Sequence, residues 1–194
     1  MKRKIVVLLT ALFLALFVAS CSAPPEQTVT KFLEALRNAD VEEMGRHVHG
    51  EGGTPLASEV TWESEKDREM AKMLFGRISY KIENRSVTKD TATVSVAITC
   101  VDVPRVLADT FSKVLPIAIA AAFGGETQED TQALVEQTLE NAIRDPNAPM
   151  TTVETTFNLK KISGKWLIVF DEKSSGEFLN AITGNLGKAL GGLK

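Results

Sequence analysis

The chain has 194 residues, 44% hydrophobic and 24% charged, with a formal net charge of −3. That length allows one domain with a full core, and the acidic balance excludes a nucleic-acid partner, which needs a basic face. Two cysteines, Cys21 and Cys100, exclude a disulfide framework.

Lys2, Arg3 and Lys4 precede an apolar run from Ile5 to Val18, broken only by Thr10. The run is too short for a comfortable membrane span, which takes about 20 residues. It has the layout of a secretory signal. Val18-Ala19-Ser20 before Cys21 resembles the lipobox of bacterial lipoproteins. That resemblance implies diacylglycerol on the Cys21 sulfur and cleavage before it. It divides the chain into a signal peptide (1–20), a tether (21–27) and a domain (28–194). It also implies a place on a bacterial cell membrane or outer membrane, facing away from the cytoplasm. The alternatives are an ordinary signal peptide with a chance cysteine, or an uncut anchor. Loss of residues 1–20 would remove three positive charges and no acid, moving the net charge from −3 to −6. Such a balance argues against a polybasic grip on anionic lipid.

The domain opens with a helix in which Pro25 suits the first turn and Glu26 suits the dipole. Val29, Phe32, Leu33 and Leu36 form its apolar stripe. Asn38-Ala39-Asp40 ends it, and Asp40 with Glu43 reads as a capping box. A second helix carries Val41, Met44, His47 and Val48, and Gly50 to Pro55 is a loop. A third helix spans about 63–75, with Met70, Met73 and Leu74 inward. The period then falls to two. Ile78, Tyr80 and Ile82 alternate, Thr88 to Thr91 turns, and Val94, Val96, Ile98 and Cys100 share one strand face.

Residues 104–149 read as a helical hairpin set between strands. Leu107, Phe111 and Val114 or Leu115 repeat helically until Pro116 interrupts, and Gly124-Gly125 turns the chain. Leu134, Val135, Leu139, Ala142 and Ile143 form the returning stripe, which Asp145-Pro146 ends. Alternation resumes at Val153, Thr155, Phe157 and Leu159. Ser163-Gly164 is a turn, and 166–170 is a strand. A glycine-rich helix from Glu177 to Leu190 closes the chain.

Residues 28–48, TVTKFLEALRNADVEEMGRHV, and 157–169, FNLKKISGKWLIV, resemble small bacterial lipoproteins of the nuclear transport factor 2-like superfamily. The matching positions are Phe32, Leu36, Asp40, Met44 and Val48, then Gly164, Lys165 and Trp166. The resemblance implies an α+β cone: N-terminal helices packed in a curved antiparallel sheet, here with a helical hairpin insert and a C-terminal helix. The insert at 104–149 departs from the minimal cone.

No nucleophile elbow, P-loop or dinucleotide fingerprint is present in the sequence, and the reading assigns no cofactor and no metal. His47 and His49 lack the spacing of a helical ligand pair and a supporting cluster. Asp102 reads as a helix cap, Tyr80 as a core or rim ring with its hydroxyl in water, and Cys100 as a small core residue. The segment 114–125, VLPIAIAAAFGG, is apolar on every side. It can be a core helix, the wall of an apolar-ligand cavity, or a surface for a partner or bilayer. The candidate pocket or partner surface comprises Phe32, Leu36, Tyr80, Phe111, Leu115, Phe123 and Trp166. The function expected is non-catalytic binding, of a small apolar molecule in the cone or of an envelope protein through the insert. An isomerase or dehydratase, or a structural accessory subunit, is the alternative.

Overall fold

The computed structural model describes residues 23–49, 62, 64–124 and 128–191, and side chains outside 121–131. The proposed signal, Cys21 and the loop at 50–55 therefore lie outside the described residues, as does the side chain of Phe123. Among the described residues the fold is α+β, with seven helices and one open five-stranded sheet. In chain order these are α1 (Pro25–Arg37), α2 (Val41–Gly45), β1 (Val48–His49), α3 (Glu65–Phe75), β2 (Ser79–Val87) and β3 (Thr91–Val101). Then follow α4 (Val103–Gly124), α5 (Gln128–Arg144), β4 (Met150–Ile162), β5 (Lys165–Val169), α6 (Glu172–Ile182) and α7 (Leu186–Gly191). The sheet order is β1-β5-β4-β3-β2.

Helix α1 starts at Pro25, inside the 21–27 span expected as a tether. Its stripe is buried as the spacing predicts: Val29, Phe32, Leu33 and Leu36 are at most 4% exposed. Asp40 caps α2 by accepting from the Glu43 amide at 2.9 Å. Glu43 spends its own carboxylate on Arg46 and His47 rather than completing the box. Helix α2 ends at Gly45, short of His47 and Val48. Val48, β-branched and suited to a strand, enters β1 and pairs in parallel with Ile168. The sheet is thus mixed rather than wholly antiparallel, since β2–β3, β3–β4 and β4–β5 are antiparallel pairs.

Strands β3 and β4 pair without interruption from Thr91↔Lys160 to Val101↔Met150. Their alternation puts Val94, Val96, Ile98, Cys100, Phe157 and Leu159 on the covered face, each at most 2% exposed. Helices α1 and α6 cover that face, and Phe32, Phe157, Phe170 and Phe178 meet there, with ring centroids 5.4–6.4 Å apart. The β4–β5 turn is made by Ser163 (φ 49°) and Gly164 (φ 81°), a left-handed pair suited to a tight hairpin.

The insert joins the adjacent ends of β3 and β4, where an ordinary fold would place a short turn. Helix α4 runs unbroken through Pro116, contrary to the expected interruption. The ring removes one helical N–H, and solvent at this exposed position can take up the freed Ser112 carbonyl. A second small core of Val101, Val106 and Ile143 fixes the hairpin base, with Met70, Met73, Leu74, Leu139 and Ala142 packed against it. The inward residues of α3 therefore serve the insert rather than the sheet. The tail is two helices, not one. Asp171 and Ser174 form a capping box that starts α6 five residues before the expected Glu177. The break before α7 holds Gly184 (φ 67°) and Asn185 (φ 68°). At Gly184 a Cβ would meet Thr151 Cγ2 at 2.9 Å and the Asp102 Cα at 3.0 Å, so the close approach of α6 to the hairpin base needs glycine.

Candidate functional site

The structure divides six of the seven candidate residues among different environments, the side chain of Phe123 lying outside the described residues. Phe32 (2% exposed), Leu36 (4%) and Trp166 (7%) belong to the main core. Tyr80 is half-buried, and its hydroxyl donates to Glu34 Oε1 at 2.9 Å instead of facing water. Burial and the neighbouring Glu34 carboxylate together hold the phenol above its ordinary range. Phe111 and Leu115 lie on the hairpin, 67% and 45% exposed.

Those last two residues belong to an apolar groove between α4 and α5 of about 320 Å³. Leu107, Phe111, Val114, Leu115 and Ala118 line it from α4, Val135 and Leu139 from α5. Thr110 also lines it, buried and with its hydroxyl unpartnered among the described residues. Beyond Val114 none of the described side chains of α4 is buried, and Ile117 and Ile119 are half exposed. Over 115–120, the described part of the 114–125 segment beyond Val114, this argues against the core-helix reading. Solvent meets an apolar surface that would ordinarily be covered. Among the described residues no helix is long and apolar enough to cross a membrane.

The base of this hairpin is held rigidly. Arg77 donates to the carbonyls of Ile143 and Asp145, both at 2.8 Å, and to that of Pro146 at 3.3 Å. A guanidinium there satisfies the orphan carbonyls at the C-terminus of α5 and complements its dipole. Lys66 bonds Glu136 at 3.1 Å along the flank. Sequence reasoning missed Arg77, because its partners are backbone atoms some 66–69 residues away and carry no residue signature.

The opposite end of β4 holds a second cleft, of about 410 Å³. Ala23, Lys31, Glu43, Arg46, His47, Lys165 and Trp166 are among its lining residues. His47 Nε2 lies 3.1 Å from Glu43 Oε1, and the Thr28 hydroxyl donates to the Trp166 carbonyl at 3.2 Å. With its proton donated to that carbonyl, the buried Thr28 is poorly placed as a nucleophile for the His–Glu pair.

The remaining chemical candidates are structurally employed. Asp102 accepts from the Arg105 amide at 3.2 Å, the cap its sequence position predicts. Cys100 is 1% exposed, its thiol directed at the Ala181 carbonyl at 3.3 Å, and burial pushes its pKa up to about 11. Among the described residues no three His, Cys, Asp or Glu side chains converge as a metal site. No protein-family model matches this chain, and no curated protein matches it in sequence.

Proposed function

We propose that the chain is a lipid-anchored, extracytoplasmic binding protein of the bacterial envelope. Its body would be a nuclear transport factor 2-like cone. In this reading the α4–α5 hairpin receives an apolar helix of another envelope protein. The observation that carries the proposal is the exposed apolar groove of the hairpin, with Phe111 67% exposed, on a base fixed by Arg77.

Geometry favours a protein over the bilayer as the occupant. Ala23, the described residue nearest Cys21, lines the cleft at the Gly164 end of β4. The hairpin leaves from the Met150 end. Thirteen residues of strand separate those ends by about 40 Å. An anchor at one end would put the base of the hairpin at the end far from the membrane. A groove with walls on two helices suits a third helix, laid in through residues at i, i+4 and i+7. The ligand-in-cone alternative has less support, because Phe32 and Leu36, which such a ligand would touch, are packed in the main core.

Photo-crosslinking tests this in intact cells of the natural host. A photoreactive residue at Phe111 or Leu115 is expected to give a discrete adduct with one membrane or envelope protein, and one at Thr156 on the far sheet face is not. Phe111→Asp should abolish the adduct formed from position 115 while leaving the fold and membrane retention intact. Adducts with lipid alone, or equal adducts from position 156, would refute the docking role.

A further inference from the structure

We propose that the cleft at the Ala23 end of the domain seats the phosphate of an anionic phospholipid headgroup and so sets the domain upright on its membrane. This rests on lipid attachment at Cys21. Ala23 is two positions from Cys21, with Ser22 between them, a reach of about 7 Å at most. With acyl chains inserted in the bilayer, a cleft lined by Ala23 must open close to the headgroup layer.

The charges around the cleft suit that neighbour. Arg46 is balanced by Glu42 and Glu43, and Glu43 also meets His47. Lys31 and Lys165 have no carboxylate partner among the described residues, and both line the cleft. Lys161 adds a third ammonium, 5.6 Å from the centre of the Trp166 ring. The chain as a whole is acidic, yet two lysines without an ion-pair partner among the described residues line the cleft at its tethered end. Screening limits charge effects to about 10 Å, so distant acidic residues count for little, and the nearby carboxylates are Glu43 in the cleft and Glu34 and Asp40 on the other side of Lys31. Three donors on each ammonium match phosphate oxygens. Leu167, half-buried in the lining, provides an apolar edge beside them. A lysine close to an anionic membrane surface strengthens association about fivefold.

The test uses the acylated protein purified from its host membrane and reconstituted on two kinds of vesicle, phosphatidylcholine alone and an equal mixture with phosphatidylglycerol. Brief amine acylation followed by peptide mass spectrometry reads the accessibility of each lysine. On the mixed vesicles Lys31 and Lys165 should be modified about fivefold more slowly than on phosphatidylcholine. Lys113 on α4 and Lys173 on α6 should be modified at the same rate on both. Equal rates at Lys31 and Lys165, or uniform slowing at all four positions, would overturn the headgroup site. The same selective slowing by soluble glycerol phosphate, without vesicles, would assign the cleft to a free phosphate ester and overturn the lipid assignment. Loss of the protein from both kinds of vesicle is a different result, and it would sink the tether itself.

Discussion

Phe32 and Phe111 are the same residue in opposite surroundings, and truncating each to alanine tests whether the hairpin surface is free. A buried phenylalanine removes about 200 Å² from water. At about 25 cal/mol per Å² that is about 5 kcal/mol as an upper bound. Phe32 is 2% exposed and faces Phe157, Phe170 and Phe178, so Phe32→Ala should cost about 3–5 kcal/mol. A domain of ordinary stability, about 5–15 kcal/mol, then becomes marginal. Phe111 is 67% exposed, which leaves about 70 Å² buried and a gross contribution near 1.7 kcal/mol. Alanine keeps part of that contact and is the better helix former by about 0.5 kcal/mol. The net cost of Phe111→Ala should therefore stay below about 1 kcal/mol. Urea titrations followed by circular dichroism measure both, provided the slopes agree. A Phe111→Ala loss comparable to that of Phe32→Ala would mean that the ring is already packed within this chain. The hairpin would then have no vacant surface to offer.

Four other outcomes follow from the same structure. Gly184→Ala adds a Cβ against Thr151 and the Asp102 backbone at φ 67°, and should lower stability by at least about 1 kcal/mol in the same titration; no change would mean the α6–α7 break is not fixed. Pro116→Ala restores one helical hydrogen bond at an exposed position, so the 222 nm signal and the urea midpoint should both rise; a fall would show that the ring makes contacts of its own. In a Cys21→Ser chain, Cys100 should resist thiol reagents at pH 8 until urea unfolds the domain, because burial holds its pKa at about 11; rapid native labelling would contradict the buried assignment. The Asp171 carboxyl is held below its usual range by the Ser174 amide and hydroxyl. Its contribution is present above the unfolded pKa, about 3.9, and is lost as pH falls through the lower folded value. Asp171→Asn, still able to cap, should therefore flatten the acid limb of stability against pH, and an unchanged limb would refute this role.

Legibility followed the range of the forces involved. The α1 stripe, the Asp40 and Asp102 caps, the Ser163-Gly164 turn and the alternation of β3 and β4 depend on neighbours a few residues away, and all could be read directly. His47 and Val48 were misread as helical because β1 exists only through pairing with Ile168 on a strand 120 residues distant. Pro116 was read as a break by local rule, yet a helix tolerates one missing N–H where solvent can reach the freed carbonyl. The early start of α6 was legible in principle, since Asp171 and Ser174 form a local box. The Tyr80–Glu34 bond and the Arg77 clamp were not, because they join groups 46 or more residues apart.

By itself, then, the sequence determined the periods and punctuation of the elements, the α+β class and the position of the hairpin between two strands. Hydrophobic spacing and backbone sterics act along the chain, and one strand of text carries them in full. Whether an apolar side chain is covered depends on which distant surfaces meet it. Phe32 and Phe111 sit in equally apolar helical stripes, and only the tertiary structure decided that one is core and the other is surface.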